Sequence, residues 1–296
     1  LSYCSGHCCG TSIKQAMYFK DQNPDVDTVV MYQDLRVPGM GTRNVAAVLA
    51  AALAFAAMLY YNWDTVQRVF LGGVKVYETV PPTDIPAEMK RPAILVFSKT
   101  NGFRHEEAIP AATKMFDAIA AKNGWSVYHT ENGAAFTPDI LAKFDVVVFS
   151  NASGDLFTPD QEAAFKGFLE NGGGYLGIHA AGDNSHADWS WYMTDIIGAT
   201  FTGHPMEPQF QKATVRVEDK TNPATAHLPD AWSRTDEWYS FDKSPRKDGV
   251  TVLATLDEST YNPGEFFGTK LAMGKDHPII WSRCVGQGRV FYTALG

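Results

Sequence analysis

Apolar and polar positions change their period several times along the chain. Continuous apolar runs lie within residues 93–99 and 145–151, and such runs are typical of strands buried on both faces. Residues 106–122 carry apolar positions at helical spacing instead. Strands and helices alternate in this way from residue 91 onward, which predicts an α/β fold built on a parallel sheet with helices on both faces.

Local end signals support this interpretation. Thr137 followed by Pro138 is typical of a helix start, and Thr158 with Gln161 has the spacing of a capping box. The run of asparagine and glycines at 171–174 stops the second of these helices. A further strand follows it. Two late strands, joined by a glycine-containing turn, are predicted within 278–296.

A different pattern precedes this region. Residues 45–61 contain no polar groups except tyrosine hydroxyls, and a helix of that length spans about 25 Å. With Arg43 before it and Asp64 after it, we expect a transmembrane or signal-anchor helix at 44–63, the protein's contact with the membrane. The main domain would then be periplasmic or extracellular. The alternatives are a buried alanine-rich helix, or a signal peptide starting at Met40 whose cleavage gives a secreted protein.

The segments on either side of this helix have different characters. Residues 64–90 contain several prolines and are interpreted as a linker. Residues 1–43 form an N-terminal segment whose three clustered cysteines could ligate a metal or an iron–sulfur centre. Residues 1–42 resemble a piece of heterodisulfide reductase-like flavoproteins, but no glycine-rich flavin-binding motif follows. We interpret the segment as a fragment without an independent function.

Charge and cysteine content narrow the function classes. The net charge is −8, which argues against a nucleic-acid partner. Four cysteines, three of them near the N-terminus, do not form a disulfide framework. The fourth, Cys284, falls on a late predicted strand, where we expect it in the core.

Polar residues follow several of the predicted strands. In a parallel sheet the carboxyl ends of the strands share one edge, where ligands bind, so these residues should converge on one crevice. They are Asn101, Arg104, His105, 151–155, His179 and Asp183. His179 also stands between small residues in the sequence GIHAA, the pattern of a sharp strand-to-helix turn that exposes one side chain.

Several separated motifs resemble one known family. FSKTNGFRH, GGGYLGIHAAGD, GATFTGHP, RTDEWYSF and IIWSRCVGQGRVFYTALG are similar to the trehalose-utilisation (ThuA-like) family over residues 91–296. The resemblance implies a flavodoxin-like fold related to class I glutamine amidotransferases, and a link to carbohydrate utilisation. The family's signature positions fall on His105, His179, His204, Asp236, Glu237 and Tyr239. The family pattern continues with Gly-His where this sequence ends.

His179 stands where an amidotransferase of this fold would hold its cysteine nucleophile. No cysteine is near it in the sequence, so Cys-dependent glutamine hydrolysis is not expected. Histidine at that place can act as an acid or base, ligate a metal, or serve structurally. Together His105, His179 and His204 could bind a divalent metal such as zinc, although each alone could be a surface histidine.

Carboxylates and aromatic side chains near His179 suit a sugar ligand. Asp236 and Glu237 are adjacent on a predicted strand, so we expect only one of them to enter the site. We assign Glu237 and Asp183 with His179 to catalysis, because a carboxylate can orient an imidazole or act as a base. The residues predicted to bind substrate, through hydroxyls or an anionic group, are Asn101, Arg104, Asp236 and Tyr239.

These features favour an enzyme of the hydrolase or isomerase type that acts on a sugar or sugar derivative, with a histidine-centred site that a metal could assist. The alternative is a non-catalytic module on the same fold that binds a small carbohydrate or a partner. Whether the chain is an enzyme is left open by the sequence.

Overall fold

The computed structural model describes residues 42–247 and 249–296. The chain divides into two units, one ending at Trp63 and one extending from Asp64 to Gly296, and each is described by itself. The predicted cysteine cluster and the heterodisulfide reductase resemblance of residues 1–42 fall almost wholly outside the described residues.

The first unit contains helix α1, Thr42–Tyr61, where the sequence predicts a transmembrane or signal-anchor helix at 44–63. Among the described residues, no helix combines the length and the apolar character needed to cross a bilayer. The structure therefore does not support the predicted span.

The second unit is an α/β domain. Its helices are α2 (Trp63–Phe70, which starts at the last residue of the first unit), α3 (Ala108–Asn123), α4 (Pro138–Leu141) and α5 (Pro159–Glu170). Its strands are β1 (Ala93–Phe97), β2 (Ser126–Thr130), β3 (Val146–Ser150), β4 (Gly174–Ile178), β5 (Phe201–Gly203), β6 (Phe210–Val217), β7 (Ala231–Glu237), β8 (Ser240–Phe241), β9 (Val250–Asp257), β10 (Glu265–Phe266), β11 (Thr269–Lys270), β12 (Pro278–Val285) and β13 (Gly288–Thr293). Short helical turns lie at Gly133–Ala135, His179–Gly182, Asn184–His186, Tyr192–Ile197 and Glu258–Thr260.

Nine strands form the central sheet, in the order β2-β1-β3-β4-β13-β12-β9-β6-β7. The first five pair in parallel, in the order typical of flavodoxin-like folds, which confirms the predicted α/β class. The remaining pairings, from β13 to β7, are antiparallel; the sequence predicts one of them, the hairpin within 278–296, while the parallel sheet that it predicts is confined to the first five strands. The reason is local: short turns and loops, rather than crossover helices, connect these later strands.

Both faces of β1 are buried, as its continuous apolar sequence predicts. Leu95 and Phe97 point into the larger core with Phe165 of α5, whereas Val96 points to the opposite face and packs with Phe116 of α3. Helices therefore cover this part of the sheet on both sides.

The predicted end signals also hold. The Thr158 backbone N–H donates to the Gln161 side chain at 3.0 Å, as a capping box requires. The Thr137 side chain accepts from the backbone N–H of Ile140 at 3.3 Å. The predicted hairpin joins β12 and β13 through Gly286, whose φ of +59° lies in the left-handed region that favours glycine.

The antiparallel half of the sheet curls back toward the parallel half. Arg234 on β7 donates to the carbonyl of Gly296, just beyond β13, at 2.8 Å. In the sheet order, β12, β9 and β6 stand between these two strands. The contact therefore brings the end of β7 to the carboxyl edge of the parallel strands.

Part of the region interpreted as a linker packs closely on the domain. We call residues 73–80 the strap. The ammonium of Lys99, just beyond β1, donates to the Val76 carbonyl and to the Glu78 carboxylate, both at 2.6 Å. Asn101 accepts at its backbone carbonyl from the Val74 N–H at 2.7 Å. The strap thus lies against the ends of β1 and β3, where the direction of winding reverses.

Candidate functional site

His179 lies at the first position after β4, in a tight turn. Its φ is +51°, which few residues other than glycine adopt, and its ring is buried, with 2% of the residue exposed. The Tyr292 hydroxyl donates to the His179 carbonyl at 2.9 Å and fixes the turn. Gly182 is needed because a Cβ there would collide with the Tyr292 ring. The sharp turn predicted from GIHAA is therefore present.

Both ring nitrogens of His179 face hydrogen-bond acceptors. Nδ1 lies 2.8 Å from the Ala294 carbonyl oxygen, and Nε2 lies 3.1 Å from a carboxylate oxygen of Glu237. The Ala294 carbonyl can only accept, and an ionised Glu237 can only accept, so each ring nitrogen has a partner for any proton that it carries. The Tyr239 ring packs on the His179 ring with centroids 4.0 Å apart.

Glu237 is the carboxylate at the centre of the cluster. Its burial opposes ionisation, but hydrogen bonds from His179 and Gln209 outweigh that effect and lower its pKa to about 2. His204 approaches its second oxygen at 3.4 Å. Glu237 is therefore ionised at neutral pH and accepts hydrogen bonds from the groups around it.

His105 completes the cluster from the loop after β1. Its ring centroid lies 4.8 Å from that of His179. Burial, and then the positive charge of His179, lower the pKa of His105 to about 4, so its ring is neutral at pH 7. A neutral imidazole keeps a lone pair for a metal or a proton.

One set of side chains could hold a metal ion. Ligand atoms of His105, His179 and Glu237 all lie within 4.8 Å of one another. Two imidazoles and one carboxylate, with room for water, are a donor set that catalytic zinc accepts. The contact of His179 Nδ1 with a backbone carbonyl also suits a metal ligand, whose second nitrogen usually donates in this way. The sequence predicts His204 as third ligand; in the structure Glu237 takes that place and His204 contacts Glu237.

A cavity of about 390 Å³ opens above this cluster. Both Asp236 and Glu237 line it, so the expectation that only one of them enters the site is wrong. Asp236 and Glu237 are the last two residues of β7, and the cavity lies at that end of the strand, so both residues border it. Asp236 accepts from the Gly296 N–H at 3.2 Å and pairs with Arg234 at 3.1 Å, while burial raises its pKa.

The other predicted site residues lie in varied positions. Arg104 lines the cavity. Asn101 is buried, and its side chain donates to backbone carbonyls of Val76 and Asp155 rather than lining the cavity. Asp183 accepts from the Ser185 N–H at 2.8 Å and caps a short turn. Tyr239 supports the His179 ring from behind.

Several contributors are absent from the sequence prediction. Gln209 and Arg234 bind the two carboxylates, and the cavity wall also contains Phe103, Glu106, Glu107 and Phe210. Glu106 and Glu107 directly follow His105, a proximity that could have marked them. Gln209 and Arg234 reach the site only because the sheet curls, and no local pattern signals that.

Among the residues that the structure describes, no cysteine lines this cavity. Cys284 on β12 is exposed, not in the core as expected, and it does not line the cavity. Cys284 lies near the hairpin end of β12, beyond the part of the strand that is continuously buried.

Comparisons with known proteins agree with the fold. A family model described as ThuA, trehalose utilisation, matches residues 93–296. The heterodisulfide reductase resemblance is not shown by the comparisons. No curated protein matches the chain.

Solved structures of ThuA-like proteins are among those similar to the chain. A ThuA-like protein of Bacteroides uniformis is 24% identical, with a TM-score of 0.57, over 73% of this chain and 86% of that one. A ThuA-like protein of Parabacteroides merdae is 18% identical, with a TM-score of 0.53, over 70% of this chain and 80% of that one. At these identities the likeness establishes the fold alone.

Proposed function

The chain belongs to the ThuA (trehalose-utilisation) family over residues 93–296, and from this premise we propose that it is an enzyme acting on a sugar or sugar derivative. The reaction would be a hydrolysis or an isomerisation that depends on proton transfer at His179. Glu237 would hold His179 in its protonated, oriented form.

The observation that carries this proposal is the buried His179–Glu237 pair beneath an open cavity. The His179 ring is held at 3.1 Å from an ionised carboxylate, and in its protonated form it would be a proton donor in a fixed orientation. Both residues line the cavity, so a bound ligand can reach them. A histidine with a purely structural role has no need of a left-handed backbone at the mouth of a cavity.

The carboxylates divide the remaining roles. Glu237, with its pKa near 2, is a weak base and is better suited to be the counter-ion of His179. Burial raises the pKa of Asp236, which makes its carboxylate the stronger base in the cavity wall. We therefore propose that His179 donates a proton to a substrate oxygen and that Asp236 receives one from water or from the sugar. Asp183, predicted as catalytic, is occupied as a turn cap.

Sugar as the ligand class is supported by the cavity wall. Phe103 and Phe210 are 51% and 61% exposed and line the cavity, so each offers an aromatic face on which a pyranose ring can stack. Carboxylates beside them can accept hydrogen bonds from hydroxyls. The family description, trehalose utilisation, agrees with this class.

A divalent metal fits the same cluster, with His105, His179 and Glu237 as ligands. Such an ion, when bound, would supply Lewis-acid polarisation of a substrate oxygen or a water of lowered pKa. In that form His179 would act as a metal ligand instead of a proton donor. Elemental analysis of the full chain decides between the two forms: a stoichiometric metal lost in His105→Ala, but kept in His129→Ala, supports the metal-assisted one.

The test of the function is turnover by the full chain. Purified protein is incubated with a panel of glycosides and oxidised sugars, with and without zinc or manganese, and products are followed by NMR. We expect product formation that is lost in Glu237→Gln and retained in His129→Gln, a surface histidine paired with Asp117 at 2.9 Å. Saturable sugar binding without any product contradicts the enzyme and favours the non-catalytic binding module.

A further inference from the structure

The wall of the cavity above His179 carries more acidic than basic groups. Two of the acidic groups are the rim carboxylates, Glu106 and Glu107, which are exposed and line the cavity. An anionic ligand would need a positive group in the wall that is not already paired with a carboxylate.

Arg104 is the cation that could receive an anion, but its guanidinium is occupied. Two of its nitrogens donate to the Glu131 carboxylate at 3.1 and 2.8 Å. Its Nε donates to Glu106 at 3.2 Å, and Nη1 also donates to the Thr100 hydroxyl at 3.1 Å. The fork that usually grips a phosphate or carboxylate ligand is thus filled by the protein's own carboxylates.

The N-terminus of α3 is the second feature that would normally attract an anion. The helix begins at Ala108, which lines the cavity, and the helix dipole places partial positive charge at this end. Here the rim carboxylates stand immediately before that first turn and supply the negative charge themselves. A ligand anion would have to compete with them.

The other positive groups in and behind the wall are also matched. His179 is paired with Glu237 at 3.1 Å, and Arg234 with Asp236 at 3.1 Å. Among the described residues at the cavity, each positive group therefore has a carboxylate partner, and negative charge remains at the rim. A divalent ion on the cluster would add positive charge beneath the cavity but would leave the rim carboxylates in place.

We infer that the cavity selects uncharged sugars and rejects sugar phosphates and sugar acids, because its own carboxylates occupy every cationic group that could hold an anion. The inference rests on the proposed sugar-directed function and specifies its substrate class. At aqueous dielectric each rim carboxylate opposes a nearby anion several-fold, so together they disfavour an anionic sugar by about tenfold.

A fluorescence measurement tests the local field without any sugar. Phe103→Trp places an indole at the cavity mouth of the full chain, and its quenching by caesium, iodide and acrylamide is compared after subtracting the native signal. We expect caesium to quench it more efficiently than iodide at low salt, and Glu106→Gln with Glu107→Gln to remove the difference. The matched control, Asp160→Asn with Glu170→Gln on α5, should leave it unchanged. Iodide quenching equal to or stronger than caesium quenching overturns the inference.

A ligand measurement follows on the same proteins. Saturation-transfer NMR compares methyl glucoside, glucuronate and glucose 6-phosphate, which share a ring and differ in charge. We expect the neutral probe to bind about tenfold more tightly than either anion, and the gap to close in the rim double variant. Equal or tighter binding of an anion overturns the charge selectivity while the sugar proposal stands. No binding of any of the three contradicts the sugar proposal, whatever the quenching result.

Discussion

The ion pair between Lys99 and Glu78 predicts that the strap is part of the folded domain. The Lys99 side chain is 5% exposed and that of Glu78 is 32% exposed, so the pair is neither fully buried nor a surface contact. Breaking a buried pair costs about 3–5 kcal/mol, and an exposed pair contributes about 1 kcal/mol or less. Because water screens part of Glu78, we expect Glu78→Gln to lower the free energy of unfolding by about 2 kcal/mol.

Lys99→Met should cost more. It leaves the carbonyls of Val76 and Leu156, which accept from Lys99 at 2.6 and 3.1 Å, without their donor, together with an unpaired Glu78. We expect a loss of about 3 kcal/mol. The double variant should cost less than the two single changes together, because each removes the same pair.

Urea unfolding of the full chain measures these changes, with exposed Glu88→Gln as a control expected to stay within about 0.5 kcal/mol of the parent. A fragment of residues 91–296, which lacks the strap, should unfold at lower urea. If that fragment is as stable as the full chain, or if Glu78→Gln behaves like the control, the strap is only a tether and the reasoning fails.

The pair also has a pH signature. Burial opposes ionisation of Glu78, but hydrogen bonds from Lys99 and the Gly133 N–H outweigh it and lower its pKa. A carboxyl with a depressed folded-state pKa stabilises the fold above its unfolded-state pKa, and this stabilisation disappears as the pH falls. The stability difference between the parent and Glu78→Gln should therefore be full at pH 7 and shrink below the ordinary range of a glutamate, about pH 4.3.

Three further predictions concern the sheet edge, the cluster and the core. Gly154→Ala should destabilise the fold by roughly 2 kcal/mol or more. The backbone φ at Gly154 is +89°, and an added Cβ would lie 2.6 Å from the Asn101 carbonyl carbon. The control Gly124→Ala, at φ +71° with open space around it, should cost only about 1 kcal/mol in the same urea assay. The parent protein should lose stability as the pH falls from about 4.3 toward 2, and Glu237→Gln should lose less over that range. The free energy of unfolding measured against pH tests this, and the same decrease in both proteins would contradict the low pKa of Glu237. Phe149→Ala, at the centre of the aromatic core, should cost about 3–5 kcal/mol, and a loss below about 1 kcal/mol would mean that this core is loosely packed.

The parallel half of the sheet could be predicted because its signals are local. The apolar run of β1 and the Thr158–Gln161 capping box each depend on a few neighbouring residues. The position of His179 in a tight turn after β4 follows from small residues beside it. These local predictions agree with the structure because helices cover both faces of the sheet in this half.

The antiparallel half of the sheet and much of the candidate site depend on contacts between residues distant in sequence. Glu237 is a candidate from its motif, but its contact with His179, just after β4, requires β7 to curl over four intervening strands. The same curvature of the sheet brings Gln209 and Arg234 to the site, and no periodic pattern in the sequence predicts it. The strap lies in a proline-containing region typical of a linker, whereas its attachment depends on single side chains, above all Glu78.

We propose above all that the His179–Glu237 pair carries out proton transfer. The turnover rate of a sugar that the parent protein converts tests this most directly. His179→Asn is the suitable variant, because asparagine tolerates the positive φ of this position. We expect kcat to fall by at least about 100-fold in His179→Asn and in Glu237→Gln, with the double variant little worse than the more damaged single one. His129→Gln should keep the parental rate. An unchanged kcat in a folded His179→Asn protein would contradict the account.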